Sequence, residues 1–262
     1  MDQDEQAAAR EVAAAATVHA ALREIDNAIA DLAASPLSED AADRMRAANA
    51  GAAPLLAYTG RVEWEKGVQT VLAALPRLRR NHPGLRLLVA GRGSYLPRLQ
   101  DQARQLGLGD STRFLGWVSE EDLRAVVTVS DLAIAPSLYE PFGLVALEAA
   151  ALGTPVVVAE TGGLAEFAGG GERARTFRPG DPEDLAEAVE ADLAAPEAAR
   201  ERARRASTSL TVHYDWRVIA EATAEVYLAA VDRTRNSGEP ARYTLDPPRF
   251  AAPMGRLLDR SW

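Results

Sequence analysis

Two carboxylates and two cations are the residues whose types and spacing could do chemistry. Glu140 and Glu148 lie eight positions apart in the run EPFGLVALE, and upstream come Arg61 and Lys66. A guanidinium presents a planar fork of donors and an ammonium a compact charge, so both suit an anion such as a diphosphate. A carboxylate accepts hydrogen bonds from paired hydroxyls, as on a sugar or a ribose. These residues therefore predict a site for a phosphorylated, hydroxyl-rich ligand.

Glycines accompany these charges at points where the backbone could approach a ligand. Gly60 follows a strand-like run and leaves room beside the chain. Gly143 and Leu144 open a helix, whose first N–H groups are free to meet a phosphate or a sugar hydroxyl. Gly162 and Gly163 lie between another strand and helix, where consecutive amides could form an anion cradle. We therefore expect backbone amides to take part in the site.

Each pattern also has an ordinary structural explanation. The two cations could pair with Glu63 and Glu65 on a solvated loop, and the Gly-Gly pair could be a simple turn. Glu140 could merely favour a helix dipole. Glu148 could be a surface residue, although its neighbours are apolar or small and a carboxylate there needs a partner. The Gly-x-Gly at 91–93 lacks the rest of a dinucleotide fingerprint, and the three histidines lack triad or zinc spacing, so no metal site is predicted.

Composition excludes several classes of function. A net charge of −9 and a pI near 5.0 argue against nucleic acid or an anionic membrane as the main partner. The absence of cysteine excludes disulfides and Cys-ligated metals and fits a reducing compartment. The acidic N-terminus is unlike a secretory signal, and no apolar run has the roughly 18–20 residues of a membrane span. We expect a cytoplasmic protein with no integral membrane segment.

From Pro54 onward, short apolar strands alternate with helical patterns. This alternation predicts an α/β fold, a Rossmann-like parallel sheet with helices on both faces, in which ligands bind beyond the carboxyl ends of the strands. Strands are expected at 55–59, 85–90, 112–115, 132–135, 155–159 and 174–177. Helices are expected at 66–80, 94–105, 119–129, 142–152, from 162, at 181–194, 196–210 and 215–232.

The two ends of the chain differ from this middle part. Residues 1–53 are Ala-rich, and their apolar spacing predicts helices at 12–32 and 39–48, with either a packing role or a role in dimerisation or docking. Residues 234–262 are rich in Pro, Arg and Gly and are expected to be extended. The predicted domains are 1–53, 54–233 and 234–262.

The middle part carries an ordered set of motifs: Gly60-Arg61 with Glu65-Lys66-Gly67, Leu88 to Gly93, Phe114 to Val118, Pro136-Ser137, Glu140 to Glu148, Gly153 to Val157 and Gly162-Gly163-Leu164. By this set it resembles the C-terminal, donor-binding domain of the GT-B glycosyltransferases of family 4 (group 1). The run at 140–150 and the triplet Tyr214-Asp215-Trp216 are most similar to actinobacterial glycogen-synthase-like α-1,4-glucosyltransferases. A single GT-B half is therefore expected, preceded by an Ala-rich helical segment.

The resemblance implies a role for each charged residue. Arg61 and Lys66 would bind the diphosphate of a nucleotide-sugar donor, Glu148 the ribose hydroxyls, and Glu140 the transferred sugar. The reaction implied is a retaining, metal-independent transfer of a hexose, with glucose expected, to a sugar or glucan acceptor. No cofactor beyond the nucleoside-diphosphate sugar is implied.

The resemblance also implies a role for the backbone and a partner for the domain. The amides of Gly143, Leu144 and Gly163 would assist the phosphates and sugar, and Trp117 and Val118 would border the base. Family members hold the acceptor on an N-terminal domain, whose place is taken here by the helical residues 1–53. We therefore expect an acceptor-domain partner or a homodimer. The alternative is a catalytically incomplete nucleotide-sugar-binding module, or a truncated product that needs a partner acceptor domain.

Overall fold

The computed structural model describes residues 38–213, 224, 225 and 227. The helices expected at 12–32 and 215–232 and the tail at 234–262 therefore lie outside the described residues, apart from three helical positions within 215–232. Across the described part, no helix is long and apolar enough to cross a membrane.

A parallel sheet of six strands forms the centre of the described residues, in the order β3-β2-β1-β4-β5-β6. The strands are β1 (Leu55–Thr59), β2 (Arg86–Ala90), β3 (Thr112–Gly116), β4 (Leu132–Ala135), β5 (Val156–Ala159) and β6 (Arg175–Phe177). The Rossmann-like α/β prediction is confirmed. Chain progression reverses between β1 and β4, which is where such sheets bind ligands.

Helices connect and cover the strands. They are α1 (Glu39–Ala48), α2 (Val68–Asn81), α3 (Leu96–Gln105), α4 (Glu120–Val129), α5 (Leu144–Ala151), α6 (Gly162–Ala168), α7 (Pro182–Ala194) and α8 (Pro196–His213). Ser119 caps α4 by accepting from the amide of Asp122 at 3.1 Å, a position at which serine is preferred. The helices α2 and α5 begin two residues later than predicted, because Gly67 and Gly143 adopt left-handed backbone angles (φ of 72° and 75°) just before them.

Successive residues of the inner strands are buried on opposite faces of the sheet. Leu56 and Val89 belong to the larger core, which includes α2 and α7. Leu55, Ala57 and Leu88 belong to a second core with Val126 of α4. Continuous apolar strands are typical of a parallel sheet covered on both faces, because neither side meets water. The predicted placement of helices on both faces is therefore confirmed.

The segment before β1 packs onto the sheet domain. The helix α1 has the bounds predicted for it and lies against α4. The guanidinium of Arg113 donates to the carbonyl of Ala48 at 2.6 Å, and the side-chain oxygen of Asn49 accepts from Arg113 at 3.1 Å and from Arg86 at 3.3 Å. These bonds tie residues 38–49 to the edge of the sheet, while the division at 53/54 stays a prediction.

A buried carboxylate anchors the last helices. Asp192 of α7 has a fully buried side chain and accepts hydrogen bonds from Arg175 and Arg202. This triad joins β6, α7 and α8, and α8 packs in turn against α5. Because α5 carries Glu148, the triad supports the helix that bears one of the predicted site residues.

Candidate functional site

A cleft of about 350 Å³ opens at the carboxyl ends of β1 and β4, at the reversal of strand order. Two loops form it, residues 60–67 after β1 and residues 136–143 after β4. The structure brings several predicted site residues to its walls: Gly60, Arg61, Lys66, Glu140, Leu144 and Glu148. Residues from sequence positions far apart therefore share one concave surface where α/β sheets hold ligands.

The two loops are held together along their backbones. The amide of Leu138 donates to the carbonyl of Glu65 at 2.8 Å. At Gly67, a Cβ atom would lie 1.8 Å from the carbonyl oxygen of Pro136, and the φ of 72° is itself unfavourable for a side chain. Glycine is therefore required at this point, and the close approach that it allows brings the two loops together beside the cleft.

Lys66 and Glu140 form an ion pair at the base of the cleft. Nζ of Lys66 lies 2.7 Å from Oε2 of Glu140, and the side chains are 18% and 11% exposed. The carboxylate also accepts from the hydroxyl of Ser137 at 3.2 Å and from the amide of Gly143 at 3.4 Å. Burial acts to raise the pKa of Glu140, but Lys66 and these donors outweigh it and hold the pKa below its usual value. Glu140 is therefore ionised at neutral pH.

Arg61 lies on the open side of the cleft. Its guanidinium is 3.5 Å from Glu65, and both side chains are exposed, at 70% and 38%. Such a pair contributes little to stability and is readily exchanged for another anion. The alternative that both cations pair with glutamates of their own loop therefore holds for Arg61, which pairs with Glu65. It does not hold for Lys66, which pairs with Glu140 of the other loop.

Glu148 lies on the cleft wall in the second turn of α5. Its side chain is half-buried, and burial raises the pKa of Glu148 above its usual value. Among the described residues, none donates a hydrogen bond to this carboxylate. A desolvated carboxylate without a donor is typical of a functional site, because a ligand hydroxyl can supply the missing hydrogen bonds.

The glycines near the cleft pack the loops against each other. The amide of Gly163 donates to the carbonyl of Glu140 at 2.9 Å. A Cβ atom at Gly162 would lie 2.1 Å from that same oxygen, and one at Gly163 would lie 2.5 Å from the carbonyl carbon of Phe142. Gly163 is thus already engaged within the protein, and its amide could meet a phosphate only if that bond opened. Leu144, at the first position of α5, has an amide without an intrahelical partner.

Trp117 and Val118 lie outside the cleft walls, beyond the end of β3. Trp117 is 66% exposed, and the guanidinium carbon of Arg92 lies 5.6 Å from its ring centroid. Val118 is half-buried and packs against the second core. The amide of Gly91 donates to the carbonyl of Gly116 at 2.7 Å, which links this loop to the one after β2. The stacked pair therefore lies further along the same sheet edge, and a role in bordering a base stays a prediction.

Sequence reasoning assigned no role to several residues that complete the cleft. Tyr58 and Leu123 form part of its walls, and Ser137 donates to Glu140. The phenol of Tyr58 donates to the carbonyl of Arg61, and burial raises the pKa of Tyr58, so that it stays a donor. Ser137 lies two residues after a predicted strand end and could have been found by that position, whereas Leu123 belongs to a helix remote in sequence.

Residues 40–209 match the family described as glycosyl transferases group 1. That match covers well over half of the 262 residues, and it accompanies the cleft and sheet order already described. The chain belongs to the group 1 glycosyl transferase family. The predicted resemblance is therefore confirmed at the level of the family.

Individual relatives agree with this assignment. The chain is 51% identical over 180 residues to a glycogen synthase of Mycobacterium tuberculosis, a match that covers 69% of this chain and 43% of that protein. Anabaena HepE, solved with UDP-glucose, superposes with a TM-score of 0.65 at 24% identity, over 73% of this chain and 53% of HepE. The C-terminal domain of the group 1 protein LpcC of Francisella tularensis superposes with a TM-score of 0.60 at 20% identity, over 68% of this chain and 94% of that domain. The described fold is thus one GT-B half, and the chain spans about half the length of the glycogen synthase and of HepE.

Proposed function

We propose that this chain is the donor-binding half of a retaining hexosyltransferase that takes glucose from a nucleoside-diphosphate sugar to a glucan acceptor. The observation that carries the proposal is the joining of Lys66, Glu140 and Glu148 in one cleft at the reversal of strand order. The identity to a glycogen synthase supports glucose as the sugar and a glucan as the acceptor.

Binding of the diphosphate falls to Lys66 and Arg61. An ammonium has three donor hydrogens, so Lys66 can keep its bond to Glu140 and still donate to a phosphate oxygen. Arg61 exchanges its exposed partner for the phosphate at little cost, because the pair that it leaves is solvated. The amide of Leu144 and the dipole of α5 favour negative charge at the same place.

Two carboxylates divide the hydroxyl groups of the donor between them. Glu148, which lacks a donor among the described residues, accepts from the ribose hydroxyls. Glu140, fixed by Lys66 and Ser137, accepts from hydroxyls of the transferred sugar. Because the orientation of Glu140 is set before the ligand arrives, little reorganisation is needed for transfer.

Transfer then needs no metal and no strong base of the protein. The bond from the anomeric carbon to the phosphate oxygen breaks, and a bond to the acceptor oxygen forms on the same face. The departing phosphate takes the acceptor's proton, and Lys66 and Arg61 neutralise the charge that builds on it. These cations take the place that a divalent cation has in other transferases, and no cofactor beyond the donor is required.

The acceptor half of the reaction belongs to a second domain or chain, since positioning of both reactants supplies much of a transferase's rate. A homodimer is the other way to complete the cleft. A cytoplasmic location accompanies the proposal, supported by a composition without cysteine.

The test is a transfer assay with purified chain, maltoheptaose, and UDP-, ADP- or GDP-glucose. It is run alone and with the N-terminal part of the mycobacterial glycogen synthase that lies outside the match. We expect elongated maltoheptaose with one donor, in the mixed reaction only. The same mixture with Glu140→Gln is the matched control and should be inactive. Full activity of the chain alone would contradict its role as a half, and nucleotide binding without any transfer would favour the non-catalytic module.

A further inference from the structure

Exposed aromatic side chains lie on the two loops that form the cleft. Over the described residues, seven large hydrophobic side chains are exposed, and four of them lie on or beside the two cleft loops. Trp64 is 55% exposed, Tyr139 66%, Phe142 73% and Leu144 53%. We call the first three, Trp64, Tyr139 and Phe142, the aromatic rim. Exposed apolar groups concentrated at one place mark a binding surface, whereas scattered ones need no explanation.

The residues of the aromatic rim are close in sequence to Lys66 and Glu140, which form the ion pair. Trp64 comes two residues before Lys66, Tyr139 directly precedes Glu140, and Phe142 forms part of the cleft wall. The backbones that carry Trp64 and Tyr139 are joined next to both residues by the hydrogen bond from Leu138 to Glu65. The rim therefore stands on a fixed frame, so that binding costs little backbone ordering.

The chemistry of the rim favours a carbohydrate over a protein. Flat aromatic faces pack against the C–H faces of pyranose rings, while the sugar hydroxyls stay with water and nearby carboxylates. The side chains between and beside the aromatic groups are charged, among them Glu63, Glu65 and Arg61. A stable protein interface buries about 800 Å² on each partner, with charged residues depleted at its centre. Three aromatic groups set among charges are too few for that.

We propose that the aromatic rim binds sugar units of the glucan acceptor next to the donor cleft. The inference rests on the proposed function, because the acceptor hydroxyl must reach the sugar that Glu140 holds. It adds that the donor half itself contributes to acceptor binding, through Trp64, Tyr139 and Phe142.

The experiment is affinity electrophoresis of the full chain in gels containing glycogen, with dextran gels for comparison. We expect glycogen to retard the wild type, and Trp64→Ala/Tyr139→Ala to weaken the apparent affinity at least tenfold. The variant Trp64→Phe/Tyr139→Phe should retain affinity within about threefold, since it keeps the aromatic faces. Leu106→Ala, which removes another exposed apolar side chain away from the cleft, is the control and should bind as the wild type does.

Three results would overturn the inference: no retardation of the wild type, equal retardation of the alanine double variant, or a fall in oligomeric mass of that variant by sedimentation. The last result would show that the rim joins two copies of the chain. Nucleotide binding, measured separately by calorimetry, should change less than twofold in the double variant. If the wild type bound glycogen but no nucleotide, the proposed function would be contradicted, whereas the aromatic rim would still be a glycogen-binding surface.

Discussion

Replacing Lys66 by alanine tests the site at its most connected residue. In the native structure Lys66 lies 2.7 Å from Glu140, whose side chain is 11% exposed. Within the part of the chain that the structure describes, the variant leaves that carboxylate with only the Ser137 hydroxyl and the Gly143 amide as donors. Two consequences follow, one for folding and one for binding.

The loss of folding stability in Lys66→Ala should lie between the losses caused by breaking a surface ion pair and a buried ion pair. Exposed pairs contribute about 0–1 kcal/mol, and removing one partner of a buried pair costs about 3–5 kcal/mol. At 18% and 11% exposure the pair is partly buried, so Lys66→Ala should cost about 1–3 kcal/mol. Lys66→Ala/Glu140→Gln should recover part of that loss, because no unpaired charge then remains.

The pH dependence of stability should change as well. The folded pKa of Glu140 is lowered, so its contribution is present above the unfolded pKa and is lost as pH falls through the folded pKa. In Lys66→Ala, burial still acts to raise the pKa of Glu140, and the cation that lowers that pKa most is absent. The acid-induced loss of stability that Glu140 contributes below about pH 4.5 should therefore shrink.

Binding of a nucleoside diphosphate should weaken in Lys66→Ala by roughly 1.5–3 kcal/mol, the usual contribution of a charge-assisted hydrogen bond. Urea unfolding at pH 4 and pH 7 measures the effect on folding, and isothermal calorimetry measures the effect on binding. A loss below about 0.5 kcal/mol in binding would refute the reasoning, since the phosphates would then lie elsewhere.

The charge-matched control is Arg80→Ala, which removes one exposed cation from α2 outside the cleft walls. We expect it to leave both nucleotide binding and the pH dependence of stability as in the wild type. Its neighbour Arg79 is less suitable, because Arg79 donates to the carbonyl of Gly107 at 3.1 Å and its removal would break that contact. Equal losses of binding in Lys66→Ala and Arg80→Ala would show that only the overall charge of the chain matters.

Three further predictions follow from the same structure. Glu148→Gln should weaken nucleotide binding roughly tenfold or more by calorimetry. In the wild type, stability should fall as pH rises from the unfolded towards the folded pKa of Glu148, because the raised pKa makes ionisation unfavourable in the folded state. Glu148→Gln should abolish this fall. Unchanged pH dependence in urea unfolding would contradict the prediction. Gly67→Ala should lower the free energy of unfolding by at least about 2 kcal/mol more than Gly153→Ala does. The two glycines share a φ near 72°, but of the two only Gly67 faces a carbonyl oxygen. Equal losses would show that the two loops are not in contact. Asp192→Ala should destabilise the fold by about 3–5 kcal/mol, because it leaves Arg175 and Arg202 without their shared carboxylate. The control Glu201→Ala removes exposed pairs and should leave the unfolding midpoint unchanged. A small effect of Asp192→Ala would refute the anchoring role of the triad.

Most of the fold could be predicted from the sequence because its signals are local. The continuous apolar run at 132–135 and the capped helix at 39–48 have the predicted bounds. The predicted starts of α2 and α5 were wrong by two residues, because a glycine in the left-handed region delays the helix and the sequence does not show which glycines adopt it.

The candidate site was predictable in its members but not in its contacts. Strand ends placed Arg61, Lys66 and Glu140 at one edge of the sheet, as parallel topology requires. The pairing of Lys66 with Glu140 spans 74 positions and depends on how closely two loops approach, which no local pattern contains. The packing role of Gly163 was hidden for the same reason, since its contact is with another loop.

Calorimetric titration of the chain with UDP, ADP and GDP tests the central claim most directly, with Glu148→Ala measured in parallel and its fold checked by circular dichroism. The account predicts that one nucleotide binds the wild type and that the folded variant loses that binding. Absence of binding by all three, or equal binding by the variant, would contradict a donor site at the reversal of strand order.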